Sequence, residues 1–89
     1  MTTPIAPPAD ARRMFPWEFD GAGWSRWFDS AARAAGPATV TITGRQFDDG
    51  TVLRGVTVEL GDDELLDGDE TARLAAVLLE AAGELARLT

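Results

Sequence analysis

The chain has 89 residues, a net charge of −7 and neither cysteine nor histidine. This length predicts one small domain, and the missing residue types exclude disulfides, thiolate nucleophiles and the usual zinc ligands. An acidic chain also disfavours the phosphate backbone, so we expect no nucleic-acid partner.

Residues 1–13 contain three prolines and few large apolar side chains. We expect them to form a flexible tail. The alternative is a segment that folds on a partner. Residues 14–89 are expected to form a single α+β domain.

The first predicted helix begins near Asp20 and ends at Gly36-Pro37. Asp20 is a good N-cap residue, and glycine followed by proline is a typical helix ending. Between them, apolar side chains fall at helical spacing: Trp24, Trp27, Phe28, Ala31 and Ala35.

All three tryptophans lie between Trp17 and Trp27. Trp24, Trp27 and Phe28 have the large area that a small core needs, so we expect them between the first helix and the sheet. The alternative is a partner contact, because Trp and Arg are enriched at interface hot spots. The candidate partner-contact residues are Trp17, Phe19, Trp24, Arg26 and Trp27.

The stretch 38–60 predicts a β-hairpin, because β-branched residues flank the turn signal Asp48-Asp49-Gly50. A three-residue loop sets Ile42 opposite Val56 and makes one face apolar, whereas a two-residue loop mixes the faces. We therefore predict the three-residue loop, with Gly50 in a left-handed conformation. The open alternative is a four-residue loop with a local bulge.

Residues 59–70 hold seven acidic and no basic residues. An EF-hand loop aligned on Gly68 fails, because leucines occupy two ligand positions. We therefore predict no metal site and a solvated turn. Asp67 and Glu70 have the spacing of a capping box for the next helix.

The last predicted helix runs from about Asp69 to Leu88. One apolar stripe comprises Leu74, Leu78, Ala81, Leu85 and Leu88. A second stripe of small residues permits close approach of another helix and is the candidate dimer interface: Ala72, Ala75, Leu79, Ala82 and Ala86.

The segments VTITGRQFDDGT and TARLAAVLLEAAGEL resemble small, lysine-poor hypothetical proteins of actinobacteria, in which a short hairpin precedes an acidic link and an Ala-rich helix. The resemblance covers residues 40–88, about half the chain. It implies a β-β-α unit and a bacterial cytoplasmic setting, and it carries over no functional residue.

We therefore predict an α+β fold ordered α-β-β-α, with both helices on one face of the hairpin. Two unpaired strand edges favour a homodimer, through either a four-stranded sheet or the last helices. No apolar run approaches the ~18 residues of a membrane span, and the N-terminus lacks signal-peptide features. We expect a cytoplasmic protein without a membrane partner.

For function we expect a non-enzymatic protein-interaction or regulatory module, acting as a homodimer on an unidentified protein and using no cofactor. An acidic decoy or antitoxin-like inhibitor, whose block 59–70 meets a basic partner, is the first alternative. A small-ligand binder using the tryptophans is the second, and it requires a pocket in which they converge with an acid or an arginine. Asp20 and Asp29 are the only carboxylate pair near the aromatic residues, and we expect a helix cap and a surface charge instead of catalytic groups.

Overall fold

The computed structural model describes residues 5–61 and 65–88, which form an antiparallel five-stranded sheet and one helix. The elements are β1 (Arg13–Met14), β2 (Glu18–Phe19), β3 (Trp24–Ala35), β4 (Ala38–Phe47), β5 (Val52–Glu59) and α1 (Gly68–Leu88). β3, β4 and β5 are neighbours in that order, and β1 and β2 both pair with the outer edge of β3. The α+β class is confirmed.

The hairpin β4–β5 has the predicted register. Ile42 lies opposite Val56 and Val40 opposite Val58. The Phe47 N–H donates to the Thr51 carbonyl at 2.9 Å across the three-residue loop, and Gly50 has a φ of +91°. A glycine adopts this left-handed conformation without steric cost, so the turn forms as predicted.

The predicted first helix is wrong, because residues 24–35 form the twelve-residue strand β3. A regular strand would place Phe28 and Ala35, seven residues apart, on opposite faces. A register shift between Asp29 and Ala32 places both on the same face, opposite Gly44 and Ala38. The bulge therefore places two apolar residues on one face of the strand at a sequence separation that is typical of a helix.

The predicted helix ending at Gly36-Pro37 is a hairpin turn. Ala35 pairs with Ala38, so the loop has two residues, and Gly36 has a φ of +63°. A glycine with positive φ at the first loop position is typical of a type II′ turn, which joins antiparallel strands without splaying them. The described residues therefore form five strands where two were predicted, and one helix where two were predicted.

The helix α1 covers one face of the sheet near the β3–β4 turn. Val40, Ile42 and Ala81 are buried together, and partly buried side chains pack around them: Val56, Leu74, Val77, Leu85 and Leu88. Four of the five residues in the predicted apolar stripe therefore face the sheet, whereas Leu78 is 36% exposed and Val77 packs inward.

The start of α1 confirms the predicted capping box. The Glu70 N–H donates to Asp67 Oδ1 at 2.8 Å, and the Asp67 N–H donates to Glu70 Oε1 at 3.1 Å. These reciprocal bonds satisfy donors that a helix N-terminus leaves open.

Residues 5–11 lie on the same face as α1, toward the β4–β5 turn. The Gln46 side chain donates to the Ala6 carbonyl at 2.8 Å, and the Ser30 hydroxyl donates to the Asp10 carbonyl at 3.0 Å. This segment occupies part of the face assigned to the first helix. Flexibility of residues 1–13 stays a prediction about motion, and residues 1–4 lie outside the described residues.

Candidate functional site

The open face of the sheet, defined as the face opposite α1, carries the odd-numbered residues of β4. Side chains alternate along a strand, so burial of Val40 and Ile42 under α1 turns Thr43 and Arg45 to the other side. Cross-strand partners share a face, which adds Trp27 and Leu53 beside Arg45. No element of the described residues packs over this face.

Arg45 is fixed at the centre of the aromatic end of the open face. Its guanidinium carbon lies 5.1 Å from the centre of the Trp27 ring and 5.6 Å from that of Phe47. Its Nε donates to Ser25 Oγ at 2.8 Å. These contacts hold a planar cation between aromatic rings, an arrangement that restricts its rotamers.

Asp20 forms a longer ion pair with Arg45, at 3.9 Å. Its Oδ1 accepts hydrogen bonds from the backbone N–H groups of Ala22 at 2.9 Å and Gly23 at 3.1 Å. These two bonds, followed by the charge of Arg45, hold the pKa of Asp20 below its ordinary value. Asp20 therefore caps a turn that leads into β3, whereas it was predicted to cap a helix.

A groove of about 350 Å³ lies on the open face beside Arg45, and we call it the Gly55 groove. Gly55 leaves the space open, because a Cβ added there would meet no atom within 4 Å. The charged residues among its lining are Arg45 and Arg54, with no carboxylate. Its other main lining residues are Trp27, Thr43, Leu53 and Thr57.

Arg54 presents its side chain to the face that α1 covers. Its Nη2 lies 2.6 Å from Asp10 Oδ1, and both side chains are largely buried. Its Nη1 donates to the Leu88 carbonyl at 3.3 Å. The hydrogen bond from Arg54 is the main reason that the pKa of Asp10 lies below its ordinary value.

The predicted partner-contact residues do not form one cluster. Trp27 is 43% exposed on the open face, and Trp24 (50%) and Phe19 (58%) contact each other with ring centres 5.3 Å apart. Trp17 lies against the Arg26 guanidinium at 4.4 Å. The prediction of Trp24 and Trp27 as core is wrong, because Phe28 is the only one of the three aromatic residues that is buried.

The pocket of converging tryptophans that a small-ligand binder requires is therefore not formed. Register places Trp17 beside Arg26 on the face that α1 partly covers, and Trp27 on the open face. A binding role for a small ligand stays a prediction without this support.

Arg45, Leu53 and Gly55 are not among the site residues predicted from the sequence. The hairpin register already set Arg45 opposite Leu53 on the polar face. The sequence prediction did not include β3. Trp27 lies beside Arg45 because it belongs to that strand.

The predicted dimer stripe lies on the side of α1 that faces away from the sheet. Leu79 is 75% exposed, and the other members are also exposed: Ala72, Ala75, Ala82 and Ala86. Their role in a dimer stays a prediction.

The carboxylates of Asp20 and Asp29, the pair near the aromatic residues, serve local contacts. Asp29 Oδ1 accepts from the Thr43 hydroxyl at 3.3 Å, and Asp20 caps a turn as described. Within residues 5–61 and 65–88, no group of three or more possible ligand residues could hold a metal ion. Asp62 and Asp63, which belong to the acidic block, lie outside the described residues.

In the same described part of the chain, no helix has the length and apolar character needed to cross a membrane.

Comparisons with known proteins found no matching protein family, no matching curated protein and no matching solved structure. The resemblance to actinobacterial hypothetical proteins stays a prediction, as do the cytoplasmic location and the acidic-decoy role.

Proposed function

We propose that this protein is a non-enzymatic protein-interaction module that acts as a homodimer. One observation carries the proposal: β5 is an unprotected edge strand beside an uncovered sheet face. The dimer joins through that edge, and each copy presents the Gly55 groove to a partner protein.

The outer side of β5 offers unpaired backbone groups. Phe47 and Thr51 share a ladder bond, and bonding alternates along antiparallel strands. The N–H and C=O groups of four residues therefore point away from β4: Val52, Arg54, Val56 and Val58. No other backbone segment among the described residues bonds to them.

Between Val52 and Val58, β5 also lacks the features that usually protect an edge, and its second charged residue, Glu59, lies at the end of the strand. Natural sheets protect their edges with proline, bulges or outward charges. β5 has no proline, and its pairing with β4 runs from Val52 to Glu59 without a shift. The charge of Arg54 is neutralised by Asp10. An exposed strand of this kind supports pairing with another chain.

Val58→Pro tests the edge dimer. Val58 is 43% exposed, and its N–H points outward, so proline removes a donor for the second copy and leaves the ladder to β4 in place. Val58→Thr is the matched control, because it keeps the N–H and a β-branched side chain.

Sedimentation equilibrium measures the outcome. The wild type and Val58→Thr are expected at about 19 kDa at micromolar concentration, as twice the 9.5 kDa chain. Val58→Pro is expected to weaken the dimer by about tenfold or more, consistent with the loss of ~1.4 kcal/mol of edge hydrogen bonding. A wild type that sediments only at 9.5 kDa contradicts the homodimer.

The Gly55 groove is the proposed contact for the partner protein. Trp27 and Leu53 are exposed at 43% and 65% on its rim, and Arg45 is held in place between aromatic rings. Buried Trp and Arg dominate binding energy at many interfaces, so an exposed pair on a rigid sheet suits this role.

Affinity capture with three baits tests the groove. Gly55→Val adds side-chain volume to the groove at a position where a Cβ meets nothing within 4 Å, and Gly83→Ala adds a Cβ on α1 that also meets nothing within 4 Å. A protein retained by the wild type and by Gly83→Ala, but lost with Gly55→Val, is expected. Equal recovery with all three baits contradicts the groove as the contact.

A further inference from the structure

We propose that β5 pairs with β5 of a second copy in antiparallel fashion, about a two-fold axis that passes through Gly55. This inference rests on the homodimer of the proposed function and adds its register. It makes the Gly55 groove a composite site, to which the second copy contributes side chains.

The hydrogen-bonding pattern restricts the register. Only the outward residues of β5 can bond across the axis, so symmetric antiparallel pairing can be centred on any residue from Leu53 to Thr57. An axis at Gly55 pairs Val52 with the partner's Val58. The same axis pairs Arg54 with the partner's Val56.

Of these five centres, Gly55 gives the longest overlap within the bounds of β5. All four outward residues then find partners between Val52 and Glu59. An axis at Val56 or Thr57 leaves Val52 without a partner inside the strand, and an axis at Leu53 or Arg54 leaves Val58 without one. Because unpaired N–H and C=O groups are costly once an interface excludes water, the longest overlap is the favoured one.

Side chains at the edge fit the same register. Val58, 43% exposed, lies next to the partner's Val52, and Leu53, 65% exposed, lies next to the partner's Thr57. The charge of Arg54 is already paired with Asp10 at 2.6 Å, so two arginines near the axis do not oppose association. Gly55 presents no side chain at the axis.

The second copy completes the groove. On the open face, Gly55 and the partner's Gly55 form an adjoining floor. The wall beside Leu53 is extended by the partner's Thr57. Each copy then places its Trp27 and Arg45 at one end of the combined groove. The two grooves together form a long symmetric channel suited to an extended protein segment.

Cysteine cross-linking tests the register, because the chain contains no cysteine. Directly opposed residues in a non-hydrogen-bonded pair have Cα atoms ~4.5 Å apart, within the range of a disulfide. The variants are Gly55→Cys, Val56→Cys, Thr57→Cys and, for the stripe on α1, Ala82→Cys. A Cβ at position 55 meets no atom within 4 Å, so that variant is expected to fold.

Under mild oxidation, Gly55→Cys is expected to form a covalent dimer on a non-reducing gel, with the other three remaining monomeric. With the axis at Gly55, the two Thr57 residues are offset by four positions, or ~13 Å along the strands, too far to bridge. Cross-linking of Val56→Cys or Thr57→Cys instead overturns the register, and cross-linking of Ala82→Cys alone moves the interface to α1.

Sedimentation separates this inference from the proposal on which it rests. A wild-type dimer without a Gly55→Cys cross-link overturns the axis and leaves the homodimer standing. A wild-type monomer overturns both.

Discussion

Gly44 and Gly55 lie in adjacent strands, and their surroundings are opposite. A Cβ added at Gly44 would collide with the Phe28 ring and would lie 2.8 Å from the Leu53 carbonyl oxygen. A Cβ added at Gly55 would meet nothing within 4 Å. Gly44 therefore makes room for the buried Phe28, whereas Gly55 leaves a groove open.

Alanine at these two positions is expected to change stability in opposite directions. Gly44→Ala should lower the free energy of unfolding by ~3 kcal/mol, because Phe28 and the backbone of Leu53 must move. Gly55→Ala should raise it by up to ~1 kcal/mol, because glycine is a poor strand residue. Urea denaturation of the two variants measures both, and equal effects would contradict the packing of Phe28 on Gly44.

The hydrogen bonds of Asp20 could be predicted from the sequence, but the element that follows Asp20 could not. Its side chain does accept backbone N–H bonds from the next residues, as a capping residue should. The same bonds initiate turns and helices alike. The bonding was predictable from the residue type, but the element that follows depends on the rest of the fold.

The elements that could be predicted are those specified by nearby residues. The β4–β5 register follows from its turn and from alternating side chains, and α1 follows from its capping box and apolar stripe. β3 could not be predicted, because its bulge gives the spacing of a helix and its alanines favour one. The candidate site could not be predicted for the same reason, because Trp27 lies next to Arg45 only when residues 24–35 form β3.

The capping box of α1 makes a measurable contribution to stability. Asp67→Ala removes the acceptor of the Glu70 N–H and should lower the free energy of unfolding by ~1 kcal/mol. Asp69→Ala, at an exposed position in the first turn, removes a charge near the helix dipole and should cost less, ~0.3 kcal/mol. Thermal denaturation followed by circular dichroism measures the loss of stability in each variant. Equal losses would show that the hydrogen bond to the Glu70 N–H adds nothing to the effect of removing a charge.

Arg54 joins three distant parts of the molecule. It extends from β5 to Asp10 in the N-terminal segment and to the carbonyl of Leu88 at the end of α1. Its guanidinium also lies 5.7 Å from the centre of the Phe28 ring. A small domain has little core to hold its ends, and removing one partner of this largely buried ion pair would leave the other charge uncompensated.

Asp10→Asn should therefore destabilise the protein in a pH-dependent way. At neutral pH we expect a loss of ~2 kcal/mol in the free energy of unfolding, because Arg54 loses its charge partner. The folded-state pKa of Asp10 is lowered, so this contribution is complete above the ordinary value of ~3.9 and is lost as the pH falls through the lowered value.

Urea denaturation from pH 7 to pH 2 should therefore show the gap between wild type and Asp10→Asn narrowing only below about pH 4. Glu18→Gln, at an exposed position on β2, is the control and should show little change. A gap that stays constant down to pH 2 would mean that the ion pair does not account for the loss.

The strand order of the sheet affects the order in which the chain folds. β3 pairs with β4, and β4 with β5, through loops of two and three residues. Folding can therefore proceed by successive hairpins, each closing a short loop, which is the kinetically fast route to an antiparallel sheet. The contacts of Arg54 with Asp10 and Leu88 join residues that are far apart in the sequence. They are therefore expected to form last, after the N-terminal segment and the end of α1 have packed against the sheet.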